Sequence, residues 1–153
     1  MEPVILTVAH VPQESEGQCV AACASMCLAH IGLPTAYETV MNVLRTQSFG
    51  TPSFNVRNLE KLGVTVIYKQ GSFDELYEHL SNERPCIAFV KTGNLPYWDD
   101  NLAHAVVVSG LDDDYVYLND PVLPYAPAQV ARGDFDLAWL DWDELYAVLR
   151  RNE

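Results

Sequence analysis

Cys19 stands where a polar, glycine-containing segment, QESEGQ, gives way to the apolar run CVAACASMCLAHIG. Far along the chain, His104 opens and Asp120 closes a second run, AHAVVVSGLDDDYVYLND. A thiol, an imidazole and a carboxylate in these settings are the parts of an activated nucleophile: the ring takes the thiol proton and the carboxylate holds the ring. A free thiol has a pKa of about 8.5, and the unpaired N–H groups and dipole at a helix start lower it. The other cysteines read differently. Cys23 and Cys27 lie one and two turns inside the predicted helix, and Cys86 opens an apolar strand, so all three are expected to be inert packing groups. Three thiols on one helix face cannot surround a zinc ion without a ligand from elsewhere. The chain has no Cys-x-x-Cys pair either, so no metal site is expected.

His104 differs from the other histidines because it begins a strand directly after a long loop, where a scaffold commonly displays reactive groups. His10 precedes a loop, His30 lies in the end of the helix, and His79 falls on a charged helix expected to face solvent. In a hairpin turning at Asp112 to Asp114, Ala103 or His104 is expected roughly opposite Asn119 or Asp120. Asp120 would then accept from the ring and leave its second nitrogen for Cys19. Asn119 is the rival, with a side chain expected on the other face. Taken alone, Asp120 before Pro121 reads as a turn residue. The side-chain amide of Gln13 can donate to an oxyanion formed in acyl transfer, together with the Cys19 backbone N–H. Gln18 competes with it by proximity.

The elements that must position these groups can be read from periodicity and punctuation. A short apolar run, Val4 to Val8, ends near Pro12. The Cys19 helix is apolar nearly all round, so it is expected to be buried, and it stops at Gly32 with Pro34 just beyond. Helices follow from Thr35 or Ala36 to Arg45 and from Ser53 or Asn55 to Leu62. The segment Val64 to Tyr68 is β-branched and reads as a strand. Ser72 and Glu75 form a capping-box pattern for a helix through Leu80. Cys86 to Val90 is a predicted buried strand, and residues 91–102, KTGNLPYWDDNL, a loop with two aromatic residues that can serve as a lid. After the hairpin come a short helix, Asp134 to Leu140, and an apolar run, Leu145 to Leu149. Helices first and strands later predict an α+β fold in one domain spanning residues 1–153.

Composition narrows the function classes. Only nine Lys and Arg face 21 Asp and Glu, for a formal net charge of −12, which disfavours binding to phosphate backbones or anionic membranes. Such a field favours basic partner surfaces or cationic peptides. No stretch approaches the roughly 20 apolar residues that cross a bilayer. The start MEPVILTVAH lacks the basic region of a secretory signal, so a cytoplasmic location is expected.

The first segment resembles a sequence box of the papain-like peptidases that cut double-glycine leaders from bacteriocin precursors, and of their stand-alone relatives. In that family a Gln lies six positions before the Cys, and a helix with small residues, Met, Leu and a terminal Gly follows; here these fall on Gln13, Cys19, Ala22, Met26, Leu28 and Gly32. The second box, a His leading an apolar strand, a turn and an Asp-Pro end, falls on His104, Asp120 and Pro121. The tail QVARGDFDLAW, with Phe135 and Trp139, is similar to the segment after the Asp in the stand-alone relatives. Two positions depart: Gln18 replaces the usual Asp or Asn before the Cys, and Val20 the usual Gly after it, which narrows the entrance. No transporter segment follows. The resemblance implies a papain-like α+β fold, with a central helix carrying Cys19 packed on an antiparallel sheet carrying His104 and Asp120. It also implies a thiol peptidase of peptide or protein substrates that needs no metal or cofactor. The same triad serves transglutaminase-like or peptide-synthase relatives, and a catalytically dead peptide-binding domain is the alternative outside enzymes.

Overall fold

The computed structural model describes Met1 to Asn152. Its elements are β1 (Val4–Ile5), α1 (Cys19–His30), α2 (Tyr37–Leu44), a 3₁₀ helix (Ser53–Leu62), β2 (Val64–Gln70), α3 (Phe73–Ser81), β3 (Cys86–Lys91), a 3₁₀ turn (Thr92–Asn94), β4 (Ala103–Leu111), β5 (Tyr115–Asn119), β6 (Ala128–Ala131), α4 (Arg132–Leu140) and β7 (Leu145–Arg151). The strands form one antiparallel sheet in the order β2-β7-β3-β4-β5-β6, and β1 pairs with the end of β4. The fold is the expected α+β arrangement of helices on an antiparallel sheet.

Helix α1 is the centre of the core. Every residue from Val20 to Leu28 is buried, and the helix packs on β4. A helix apolar on all sides cannot sit at a surface, so burial on all sides follows from its composition. Met26 and Leu28 are almost fully buried, and removing each such side chain from water stabilises the fold by about 1.5–3 kcal/mol. The helix stops where Gly32 takes φ of 85°, a left-handed conformation that only glycine adopts at little cost. No helix among the described residues is long and apolar enough to cross a membrane.

Three expectations need correction. The hairpin register pairs Val107 with Asn119, and a bulge lies between Val108 and Gly110. His104 therefore pairs not with Asp120 but with Val90 of β3, and Asp120 lies just past the last residue of β5. The helix expected from Ser53 or Asn55 to Leu62 is present, as a 3₁₀ helix over Ser53–Leu62. At α3, Ser72 accepts from the Glu75 N–H as expected, but the Glu75 carboxylate bonds Lys69 at 2.7 Å and leaves the capping box half-closed. His79 is half-buried, with its ring nitrogens facing the Tyr146 hydroxyl and the Arg84 Nε. The C-terminal strand, which no local pattern could place, lies between β2 and β3.

Candidate active site

The position of Cys19 is set by the loop before it. Gln18 precedes α1 without a side-chain cap, so the first N–H groups of the helix stay open to a ligand. Its Oε1 accepts from the Glu14 N–H at 3.2 Å and the Tyr37 hydroxyl at 3.0 Å. Gln18 is therefore a clasp on the loop and, unlike Gln13, is not among the residues lining the cleft with Cys19 and His104. Gly17 has φ of 82°, and a Cβ there would come within 2.6 Å of the Ser48 carbonyl. That close approach docks the loop on the turn carrying Phe49. At the end of this loop the Cys19 thiol is partly exposed and lines the same cleft as the His104 ring, near enough to raise the ring's pKa.

The other ring nitrogen of His104, Nε2, lies 2.7 Å from Asp120 Oδ1. A carboxylate only accepts, so Nε2 carries the proton and Nδ1 is left for the sulfur. Asp120 is completely buried and the His104 side chain is 6% exposed. The carboxylate is satisfied from four directions: the ring, the Val122 N–H (3.0 Å), the Tyr97 hydroxyl (2.6 Å) and the Trp98 indole N–H (3.0 Å). The Trp98 ring also stands edge-on to the imidazole, with centroids 4.8 Å apart. Burial opposes a charge on His104, but the hydrogen bond to Asp120, the carboxylate's charge and the nearby Cys19 sulfur outweigh it and push its pKa up to about 9. Burial likewise acts to raise Asp120, and the His104 bond and charge overcome it, holding the carboxyl below its usual range. The arrangement is an imidazole fixed by a buried carboxylate, which favours its charged form, in the cleft that also holds the Cys19 thiol.

Sequence reasoning missed Tyr97 and Trp98. Their only signal was two adjacent aromatic residues in the loop before the histidine. That loop is closed at its base, where the Thr92 N–H bonds the Leu102 carbonyl and the Leu102 N–H bonds Thr92 Oγ1. Asn119 turns the other way, as expected, and donates to the Val8 carbonyl at 3.0 Å.

Gln13 is brought to the site by its backbone, whose N–H bonds the Pro121 carbonyl just after Asp120 at 2.8 Å. Its Nε2 donates one proton to the Ser15 carbonyl, and its buried Oε1 has no partner among the described residues. Gln13, Val20, Phe49, Trp98 and Trp142 line, with Cys19 and His104, a cleft of about 730 Å³. Val20 is 4% exposed and forms part of the cleft lining. A second concavity, of about 710 Å³, lies at the far end of α1 beside Arg84, Arg150 and Arg151 and holds none of these groups. Among the described residues, no three His, Cys, Asp or Glu side chains are grouped to hold a metal ion.

The chain is similar in structure to a C39-like peptidase from Bacillus anthracis, at a TM-score of 0.82 and 18% identity over 100% of both chains. The peptidase domain of Streptococcus ComA, a bifunctional ABC transporter of a quorum-sensing pathway, matches at 0.78 and 20% identity over 95% of this chain and 100% of that one. A double glycine motif protease from an AMS/PCAT transporter, in complex with its leader peptide, matches at 0.75 and 20% identity over 99% of each. At such low identity these likenesses establish the papain-like fold. No curated protein matches the chain. The model of the Peptidase_C39 like family matches residues 5–145, and the chain belongs to that family of cysteine peptidases.

Proposed function

We propose that Cys19, His104 and Asp120 are the catalytic triad of this peptidase, with Gln13 and the Cys19 backbone N–H as oxyanion donors. The observation that carries this reading is that His104, bonded to the buried Asp120 through Nε2, shares one cleft with the partly exposed Cys19 thiol at the start of α1. The thiolate attacks the scissile carbonyl carbon, and the carbonyl oxygen becomes an oxyanion that accepts from the two N–H donors. When the C–N bond breaks, Nδ1–H of His104 protonates the leaving amine and the acyl group stays on sulfur. Water then gives a proton to His104 and attacks the thioester, which releases the acid and restores the thiolate beside the protonated ring. Asp120 holds the ring in one tautomer throughout.

The substrate class is a peptide laid along the cleft. The relative solved with its leader peptide supports a precursor with a double-glycine junction as the first candidate. The four cysteines are all unpaired, which fits a reducing compartment such as the cytoplasm. Iodoacetamide at pH 6, followed by peptide mapping, tests the nucleophile. Cys19 should be labelled selectively, because burial raises the pKa values of Cys23, Cys27 and Cys86. Replacing Cys19 with Ala should abolish cleavage of a Gly-Gly precursor; retained cleavage would exclude Cys19 as the nucleophile.

A further inference from the structure

We propose that the cleft selects peptides carrying a cationic side chain close to the scissile bond, and that Glu16 and Asp100 read that charge. The inference rests on the peptidase reading above. Glu16 lies on the wall formed by the loop into α1, and Asp100 on the wall formed by the loop before β4; both line the cleft that holds Cys19 and His104. Both side chains are exposed, and neither carboxylate has an ion pair or hydrogen bond among the described residues.

Unpaired carboxylates are common on this acidic surface, and what singles out Glu16 and Asp100 is their place in the cleft that holds Cys19 and His104; a few other acidic groups are held within the fold. Glu75 pairs with Lys69, Asp112 accepts from Tyr117 and two backbone N–H groups, and Asp120 accepts four bonds. The rest of the cleft lining offers no counterion. Phe49, Leu102 and Val122 are apolar, and His104 is already paired with Asp120. The nearby Lys91 lies over the Trp142 ring at 5.2 Å. An arriving lysine or arginine thus meets two unpaired carboxylates, while an arriving aspartate or glutamate is repelled by both. An exposed pair is worth roughly a twofold to fivefold change in affinity, so two together give about tenfold at low salt. At 1 M salt the screening length is about 3 Å and little of this survives.

The test uses quenched fluorescent peptides with a central Gly-Gly pair, identical except for Lys, Gln or Glu in the positions flanking that pair. The expected kcat/KM ratio of Lys to Glu peptides is about tenfold at low salt and about twofold at 1 M. The double variant Glu16→Gln, Asp100→Asn should bring the low-salt ratio close to the high-salt one. Equal rates for the peptides in the unaltered protein, or an unchanged ratio in the double variant, would overturn the assignment. The ratio is internal to each protein, so a general loss of rate does not obscure it. If no peptide is cleaved, the hydrolase reading fails by itself, and anisotropy of the same peptides with the Cys19→Ala protein decides the charge preference. Tighter binding of the Lys peptide sustains it, and equal binding ends it.

Discussion

The first turn of α1 and its body carry the same residue on the same face and treat it in opposite ways. Cys19, Cys23 and Cys27 recur every four residues, so they form one stripe. Cys19 meets an open helix start, a cleft and an imidazole. Cys23 is completely buried, so desolvation, followed by repulsion from Cys19, Cys27 and Asp120, raises its pKa. Burial pushes Cys27 up to about 12. What sets Cys19 apart from the other two thiols is therefore not its helix but the surroundings gathered at one end of it, and the proposed chemistry rests on that difference. The body of α1 serves the fold by burial, and its first turn serves the chemistry by staying uncovered.

The sharpest way to break this contrast is to remove the carboxylate. Asp120→Ala takes the partner from the His104 ring and leaves the Tyr97 hydroxyl and Trp98 N–H without an acceptor. The kcat should fall by about 10²–10⁴-fold, measured by peptide cleavage on protein shown to be folded by circular dichroism; a smaller loss would separate Asp120 from the chemistry.

Next in size is a pH effect on stability. His104 titrates near 9 in the fold against about 6.5 unfolded. Because the folded value is the higher, the imidazolium contributes its full stabilisation below the unfolded value and loses it as pH rises to about 9. The gap corresponds to on the order of 3 kcal/mol. Thermal denaturation should show Tm falling over this window, more steeply than in Asp120→Ala. Parallel curves would mean that the ring is not held as a cation.

In the body of α1, Cys27→Ser puts a hydroxyl where only the Pro85 carbonyl lies nearby. It should cost about 1–3 kcal/mol of stability in urea unfolding while the kcat of the folded protein stays near its starting value. The opposite outcome, a lost rate with an intact midpoint, would erase the contrast between the two ends of the helix. Smallest is Tyr97→Phe. Loss of one of four bonds to Asp120 should lower kcat a few-fold, by about 0.5–1.5 kcal/mol, and shift the alkaline limb of the rate profile. An unmoved profile would reduce Tyr97 to loop packing.

Much of the candidate site could be proposed from the sequence because its signals are local. A polar glycine loop before an apolar helix, a His at a strand start and an Asp before Pro each depend on near neighbours. The helix ends were legible for the same reason: Gly32 and Pro34 stop α1 whatever packs around it. Errors gathered where distant segments decide. The bulge between Val108 and Gly110 and the pairing of Val107 with Asn119 set a register that counting from the turn missed. His79 looked solvated among acidic neighbours, yet Tyr146, far along the chain, gives its ring a half-buried place.

The sequence by itself determined which groups are able to react, since thiol, imidazole, carboxylate and amide are side-chain identities and their helix, strand and turn settings are short-range effects. Tertiary structure alone decided how they are held. Tyr97 and Trp98 close on Asp120 from a loop, β7 enters the sheet between strands far from it in sequence, and Glu16 comes to face the same cleft as Asp100. Contacts of that kind arise from packing between segments remote in the chain, so no local pattern of residues records them.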